Sequence, residues 1–389
     1  MAQSSVKRPL FVAAQRAVAA TLRTTLAAGL ASAALFAYGA APARAQVPPL
    51  NCAINPLDGS VVDCTGNHSA GIELVNAAGA FRTLNVFALT ANIAPAAGDA
   101  GIVFTSDDDV TLNVDAAPFG ITTTGDEAPG VFASSVNGTV SIRSFADIFT
   151  DGNLSHGIAA ESEAGNIDII ARGSIQTDAV GSVDGAFGIM ATSLSGDIEI
   201  ISAAEISTTG DQGVGIFAET AGVAIVESSG NILTRGDGAA GIAVAGQTGA
   251  GVISTGNIAT EGLEAPGITV ISDGEVGVLM SGSITTQDDN SRAIWAESFD
   301  DGMVAVGAAG TITTSGTDSD GIWATSAGGL VAIISSANIT TTGQDSAASA
   351  PSAMTALACE MTSWSGIRAL FRRRGFSRPE FSPRGKTQT

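Results

Sequence analysis

Carboxylates are the commonest residues in this chain that could carry out acid–base chemistry, and few bases accompany them. Residues 46–356 hold 36 of the 38 acidic residues, five arginines and no lysine, and the only histidines of the chain are His68 and His156. Polysaccharide lyases need a strong base beside Ca²⁺-binding carboxylates, and glycoside hydrolases need two carboxylates that converge on one bond. The arginines are scattered and no acidic pair stands out. We therefore expect no catalytic residues and no enzyme; a carbohydrate-active enzyme, lyase-like or hydrolase-like, is the alternative.

Short aspartate runs are the next candidates, because Ca²⁺ prefers oxygen ligands. They are Asp107–Asp109, Asp288–Asp289, Asp300–Asp301 and the pair Asp318 and Asp320. All fall in predicted turns, and the sequence lacks the GGxGxD repeat of calcium-binding rolls. The Arg-Gly-Asp tripeptide at 235–237 also falls in a recurring Gly-Asp turn. Acidic loops are the favoured interpretation, and we predict no metal site and no cofactor.

The first 45 residues have the pattern of an export signal. Four basic residues precede the apolar run TTLAAGLASAALFAYGAA: Lys7, Arg8, Arg16 and Arg23. The sequence ARAQ then supplies a small-x-small cleavage site, so we predict a signal peptide over residues 1–45 that is cut after Ala45. A transmembrane anchor is the alternative, which the Ala- and Gly-rich composition of the run disfavours.

Two cysteines stand close together behind this segment, in NCAINPLDGSVVDC. In an exported chain a disulfide between Cys52 and Cys64 is the natural interpretation. A metal-binding pair is the alternative, for which we expect no nearby histidine and no third cysteine, since Cys359 lies in the tail.

One short phrase recurs along the chain, as TTTGDEAPGVFA from Thr122, TTGDQGVGIFA from Thr208 and TTSGTDSDGIWA from Thr313. The apolar residue after its glycine returns at steps of 26 to 31 residues, at Ile72, Ile102, Val131, Ile158, Ile189, Ile216, Ile242, Ile268, Ile294 and Ile322. A second anchor, Ile-x-Thr, keeps the same period and ends at Thr123, Thr150, Thr177, Thr208, Thr234, Thr260, Thr286, Thr314 and Thr341. An insertion in VGSVDGAF lengthens a single loop, as stacked repeats tolerate.

Each repeat contains three short alternating segments, such as GIFAET, VAIVES and NILT in the repeat that begins at Gly215. A period of two indicates strands, and three strands in about 27 residues describe one coil of a three-faced parallel β-helix. We therefore predict an all-β fold, a parallel β-helix or β-solenoid. The N-terminal cap with the cysteine pair spans 46–70, and the β-helix repeats span 71–346.

Alternation also predicts which side chains face the interior. In the phrase GIxAxS, the residues Ile216, Ala218 and Thr220 should point inward and stack on their equivalents in neighbouring coils. The threonine of Ile-x-Thr should also point inward, near the corner, where stacked hydroxyls would bond the backbone of neighbouring coils.

The residue between the Ile and the Ala of this phrase must then point outward. It is aromatic at Phe132, Phe217, Trp295 and Trp323, and the two tryptophans belong to adjacent coils and should stack. Exposed aromatic side chains on a solenoid face indicate a surface for a glycan or protein partner. The alternative is that a loop or a flanking coil covers them.

The long signal, the early cysteine pair and the acidic Gly-, Thr- and Ser-rich coils with recurring TxG…GI.A.S together resemble the passenger region of bacterial autotransporters. The resemblance covers residues 46 to about 346. It implies a right-handed β-helix displayed at the cell surface or outer membrane, often as an adhesin, and carried by a C-terminal outer-membrane β-barrel translocator.

The tail departs from this family's pattern. After Ser346 the expected GI does not follow, and residues 357–389 hold seven basic and two acidic residues. We interpret residues 347–389 as an atypical basic tail, either frameshifted or disordered, and expect no translocator barrel in this chain. Without a translocator, the protein would be secreted or periplasmic.

These observations predict a non-enzymatic exported surface protein, an adhesin or display scaffold. Its expected partners are host-surface or matrix glycans or proteins. Nucleic acid is excluded as a partner, because neutralising phosphates requires clustered Lys and Arg, which the acidic body lacks.

Overall fold

The computed structural model describes residues 49, 51–76, 79–179 and 185–352. These residues form an all-β parallel solenoid of about ten turns, with three strands in each coil of about 27 residues, which confirms the predicted fold. In this described part of the chain, no helix is long and apolar enough to cross a membrane. The predicted signal peptide and the tail beyond Ser352 lie outside the described residues.

The strands lie on three faces, one strand per face in each coil. The first face contains β3 (Ile72–Asn76), β5 (Ile102–Ser106), β7 (Val131–Ser135), β9 (Ile158–Ser162), β12 (Ile189–Ser193), β15 (Ile216–Thr220), β18 (Ile242–Gly246), β21 (Ile268–Ser272), β24 (Ile294–Ser298), β27 (Ile322–Ser326) and β30 (Ser349–Ser352). The second contains β2 (Val61–Gly66), β4 (Thr83–Leu89), β6 (Val110–Thr124), β8 (Val140–Asp151), β10 (Ile167–Arg172), β13 (Ile198–Ser202), β16 (Val223–Ser228), β19 (Gly249–Ser254), β22 (Glu275–Met280), β25 (Val304–Ala308) and β28 (Val331–Ser335). The third contains β11 (Ser174–Asp178), β14 (Glu205–Thr209), β17 (Ile232–Arg235), β20 (Ile258–Glu261), β23 (Ser283–Thr286), β26 (Thr311–Thr314) and β29 (Asn338–Thr341).

Two long strands join the second and third faces early in the solenoid. β6 and β8 continue around the corner, so that Thr123 already pairs with Thr150 on the third face. The ladder shifts register between Asp115 and Gly120, which marks the bend.

The interior is a set of columns of equivalent residues from successive coils. Ile189 pairs with Ile216, which pairs with Ile242, and each of the three is fully buried. The predicted inward set Ile216, Ala218 and Thr220 is buried as expected, at 0%, 0% and 4% exposure. Burying an aliphatic side chain of this size contributes about 1.5–3 kcal/mol, so the columns hold the coils in register.

The corner threonines from Thr123 to Thr314 are buried as predicted, whereas Thr341 in the last described coil is partly exposed, and the hydrogen-bond partners are not those expected. The Thr234 and Thr260 hydroxyls donate to the carbonyl oxygens of Ala239 and Ala265, both at 2.6 Å, within their own coil. The expectation of bonds to neighbouring coils was therefore wrong for these residues. The turn after each of these threonines points one of its backbone carbonyl oxygens into the interior. That buried acceptor needs a hydrogen-bond donor, which the threonine hydroxyl supplies.

Hydroxyl bonds that connect coils come from residues such as Ser193 and Thr220 at the ends of first-face strands. Ser193, at the end of β12, donates to the Gly165 carbonyl of the preceding coil at 2.9 Å and accepts from the Gly196 amide at 2.9 Å. Close stacking of the turns also limits side-chain size, since a Cβ on Gly262, at φ +140°, would lie 2.1 Å from the Gly236 carbonyl oxygen. The loops are thus part of the packed ladder.

Both ends of the described ladder differ from the sequence repeat. β1 (Cys52–Ile54) pairs antiparallel with β2, and β2 pairs in parallel with β4, so the ladder begins within the predicted cap. At the other end β30 pairs with β27, with Ser349 opposite Ile322, although the repeat phrase has stopped.

Candidate binding face

The four aromatic residues predicted to point outward occupy one column of the first face. Each is partly exposed between a buried Ile or Val and a buried Ala: Phe132, Phe217, Trp295 and Trp323. Trp295 lies directly opposite Trp323 in the β24–β27 ladder. The structure therefore brings the two tryptophans together on adjacent coils.

The two phenylalanines lie apart from the tryptophans. Ala243 and Thr269 separate Phe217 from Trp295 in the column. Three coil steps at the usual strand spacing put these two positions roughly 14 Å apart. Phe132 precedes Phe217 by three further coils. The aromatic column is therefore interrupted.

An arginine lies over both tryptophans. The Arg292 guanidinium carbon is 5.2 Å from the Trp295 ring centroid and 4.6 Å from that of Trp323. Its Nε lies 3.5 Å from Asp320 Oδ2, and both of these side chains are only 9% exposed. The Trp295 indole N–H donates to Glu297 Oε2 at 3.1 Å. We call these five residues the tryptophan group.

The charges of Arg292 and Asp320 stabilise each other within the tryptophan group. Burial lowers the pKa of Arg292, while the nearby charge of Asp320 acts in the opposite direction. The cation is further stabilised by the π-faces of the two indoles, which attract guanidinium groups within about 6 Å. The Arg292 guanidinium thus contacts both indole rings and restricts their side-chain rotamers.

Sequence reasoning missed Arg292 because the arginines were treated as scattered. Arg292 stands two residues before Ile294, and Asp320 stands two residues before Ile322. Both are therefore at the same corner position of adjacent coils. Aligning this corner position as well as the strands would have revealed an opposite-charge pair in register.

A second group surrounds Phe217. The Phe187 ring stacks on His156 at 5.0 Å and on Phe217 at 5.1 Å between centroids. His156 Nδ1 accepts the Phe187 backbone amide at 3.0 Å. Desolvation lowers the pKa of His156 to about 4, so the imidazole is neutral at neutral pH. His156 and Phe187 occupy the same corner position as Arg292, which sequence reasoning also overlooked.

Two glutamates on the first face bear on the enzymatic alternative. Glu161 and Glu219 flank Thr192 in register, two coils apart, and burial raises the pKa of each to about 7. Two coil steps of about 4.8 Å bring their backbones near the carboxyl separation of about 6.5–9.5 Å found in inverting glycosidases. Such enzymes need one protonated and one ionised carboxyl. Here burial raises both pKa values, so the surroundings of the two carboxyls do not mark one as the acid and the other as the base.

The acidic turns have structural roles. The Asp237 carboxylate of the Arg-Gly-Asp tripeptide accepts the Leu263 amide at 2.9 Å, and Arg235 Nε lies 3.0 Å from Glu261 Oε2. Asp289 similarly accepts the Thr317 amide at 2.7 Å. The carboxylates of Asp237 and Asp289 thus accept backbone amides of the next coil.

The cysteine pair lies at disulfide distance, with the Cα atoms of Cys52 and Cys64 separated by 4.1 Å. The expectation that no histidine lies nearby was wrong. The ring of His68 and the two sulfurs offer ligand atoms within 4.8 Å of one another. His68 stands only four residues after Cys64, so the sequence already contained this signal.

The two indole rings of the tryptophan group offer a flat apolar surface with a polar edge, onto which a sugar ring or an apolar side chain can pack. Glu297 adds a hydrogen-bond acceptor beside Trp295. No protein-family model, curated protein or solved structure matches this chain.

Proposed function

We propose that this chain is a non-enzymatic exported surface protein, similar to an autotransporter passenger, whose solenoid displays an adhesive face. The observation that supports this best is the tryptophan group, in which Trp295 and Trp323 lie in register on adjacent coils. Rigid strands carry both rings, so little conformational entropy is lost when a partner binds. The partner we propose is a neutral glycan of a host surface or matrix.

Charge supports the choice of a neutral glycan. The chain carries a formal net charge of −21, which repels anionic polymers such as nucleic acids and uronic-acid polysaccharides. Aromatic rings pack against the apolar faces of sugar rings without needing a counter-charge. A carboxylate at Glu297 accepts hydrogen bonds from sugar hydroxyls.

The passenger-like part of the proposal is supported by the coarse architecture. A parallel solenoid of about ten turns with three strands per coil is compatible with a β-helix passenger. The predicted signal peptide over residues 1–45 fits export. The predicted location is the cell surface or outer membrane, or the secreted fraction.

Binding of the full chain to immobilised neutral glycans and to matrix proteins tests the proposal. We expect Trp295→Ser combined with Trp323→Ser to weaken binding at least tenfold, and the matching double Phe variant to retain most of it. Phe145→Ser is the matched control, since Phe145 is 37% exposed on the second face. Circular dichroism checks that each variant keeps its β-structure.

Two outcomes would overturn the proposal. Unchanged binding by the double Ser variant would show that another surface makes the contact. Release of unsaturated or reducing ends from polysaccharides, lost in Glu161→Gln or Glu219→Gln, would instead support the carbohydrate-active enzyme. Protease treatment of intact producing cells tests display, because a surface-displayed chain is cleaved whereas a periplasmic chain is protected.

A further inference from the structure

The N-terminal end of the described ladder carries a cluster of metal-ligand residue types that the adhesive face does not use. Cys52 on β1 and Cys64 on β2 are directly opposite each other in an antiparallel pair. Cys64 is fully buried, and the nearby His68 is only 4% exposed. Among the described residues, these three form the one group of His, Cys, Asp or Glu with ligand atoms close enough to hold one ion.

Hydrogen bonds keep the two cysteine positions adjacent whether or not the sulfurs are bonded. The Asn55 amide donates to the Val61 carbonyl at 2.8 Å, and Asn55 Nδ2 donates to Asp63 Oδ2 at 2.8 Å. These bonds close the hairpin between β1 and β2 independently of the disulfide. Reduction would therefore leave two thiols facing each other beside His68.

The hydrogen bonding of His68 suits a metal ligand. Its Nε2 lies 3.2 Å from the Thr65 carbonyl oxygen. A carbonyl only accepts, so Nε2 must carry the proton, and Nδ1 keeps its lone pair. Histidines that bind metals typically donate their second ring N–H to a carbonyl or carboxylate in this way, which fixes the tautomer and the ring orientation.

We propose that the reduced form of this cap is a Cys₂His site for a borderline-soft divalent cation such as Zn²⁺. The thiolates of Cys52 and Cys64 and the Nδ1 atom of His68 would supply three ligands, and water would take the fourth position. Thiolate and imidazole ligands select Zn²⁺ over Ca²⁺ or Mg²⁺, which prefer oxygen. The proposal is independent of the adhesive function.

The chemistry balances in two steps. A phosphine reductant delivers two electrons to the disulfide and takes up the oxygen of one water molecule as the phosphine oxide, and the two protons of that water complete the two thiols. Binding of Zn²⁺ then forms two Zn–S bonds and one Zn–N bond and releases the two thiol protons. The same strand β1 would thus be fastened by a covalent bond in oxidising surroundings and by a metal ion in reducing ones.

Cobalt substitution tests the site on the full chain carrying Cys359→Ser, which removes the remaining thiol. The reduced protein should bind one equivalent of Co²⁺ with a sulfur-to-cobalt charge-transfer band and tetrahedral d–d bands, and Zn²⁺ should displace it. We expect His68→Gln to weaken Zn²⁺ binding at least tenfold, and His156→Gln, the matched control, to leave it unchanged. The oxidised protein should show no such band.

Thermal unfolding distinguishes Zn²⁺ binding to the folded site from Zn²⁺ binding to the unfolded chain. Zn²⁺ should raise the Tm of the reduced protein and have a smaller effect on the His68→Gln variant. His68→Cys should restore tight binding with a stronger charge-transfer band, which covers the case in which His68→Gln fails to fold. Absence of the band in the reduced protein, or equal affinity in the protein with His68 and in a folded His68→Gln variant, would overturn the proposal.

Discussion

At the scale of single residues, the corner hydroxyls are the most regular feature of this molecule. Each corner threonine from Thr123 to Thr314 donates to a carbonyl oxygen that its own turn has buried, as Thr234 does to that of Ala239. A buried acceptor left without a donor costs about 1–3 kcal/mol. The repeated threonine is therefore explained by the turn that follows it.

Replacing Thr234 by Val should test this explanation. The side-chain shape is nearly kept, but the Ala239 carbonyl loses its donor, so we expect a loss of about 1–3 kcal/mol in unfolding free energy. Thr285→Val is the matched control, because Thr285 points outward on the third face and is partly exposed. Urea unfolding midpoints measure both, and equal midpoints for the two variants would contradict the explanation.

His156 should make stability depend on pH. Its pKa is lowered from 6.5 to about 4 in the folded state by desolvation, and protonation would also remove the acceptor that Nδ1 offers to the Phe187 amide. A lowered folded-state pKa means that the unfolded chain binds the proton more readily. The stabilising contribution is complete above pH 6.5 and is lost as the pH falls towards 4.

The measurement is the difference in unfolding free energy between the protein and His156→Gln at several pH values. We expect that difference to shrink by about 2 kcal/mol between pH 7 and pH 4, after allowance for the partial exposure of the ring. Taking the difference removes the contribution of the many carboxylates, which titrate in both proteins. A difference that stays constant over this range would contradict the expectation.

At the scale of elements, the strands were predictable and the corners were not. Alternation depends only on the two-residue period of a strand, so the inward position of Ile216 and the outward position of Trp295 followed from the sequence. Hydroxyl partners depend on the turn, in which a residue such as Gln212 adopts a positive φ of 59°. Such a backbone choice has no two-residue pattern from which it could be predicted.

Contacts between coils escaped prediction for a related reason. The Arg292–Asp320 pair and the stack of His156 on Phe187 join corner positions that carry a different residue type in each coil. The strand β30 was not predicted because it lacks the repeat phrase. It forms nevertheless, since backbone pairing with β27 is enough to extend the ladder. Among the residues that the structure describes, no strand pairs with the outer edge of β30, and proline at position 351 is tolerated at such an edge.

Deleting one whole coil should leave the remaining coils folded. Residues 242–267 form one step of the repeat, from Ile242 to the residue before Ile268. Deleting them would bring Ile268 into the register of Ile242, so every remaining column continues, and repeat proteins depend mainly on nearest-neighbour contacts. We expect a folded β-protein with a modestly lowered Tm.

Deleting only residues 242–254 is the matched control. That change would place a third-face strand on the first face and put the buried columns out of step. Circular dichroism and thermal unfolding distinguish the two deletions. A whole-coil deletion that loses its β-structure as fully as the half-coil deletion would contradict the nearest-neighbour account.

At the scale of the whole molecule, the residues that hold the ladder together are not those of the proposed adhesive face. Interior columns, corner hydroxyls and the carboxylates that cap backbone amides hold the ladder together, and the outward column of the first face is left to vary from coil to coil. It holds Phe217, Ala243 and Trp295 at equivalent positions. This variation at a fixed position of a rigid scaffold is what a display surface needs.

The central claim is that Trp295 and Trp323 contact the partner. Acrylamide quenching of tryptophan fluorescence tests it most directly, in the full chain carrying Trp364→Phe, which leaves these two as the only tryptophans. Titration with soluble oligomers of N-acetylglucosamine and of neutral hexoses should reduce quenching saturably for at least one of these sugars. The effect should be weaker in Trp295→Ser and intact in Phe145→Ser. Quenching that stays unchanged with every sugar, including any that the immobilised-glycan assay shows to bind, would contradict the claim.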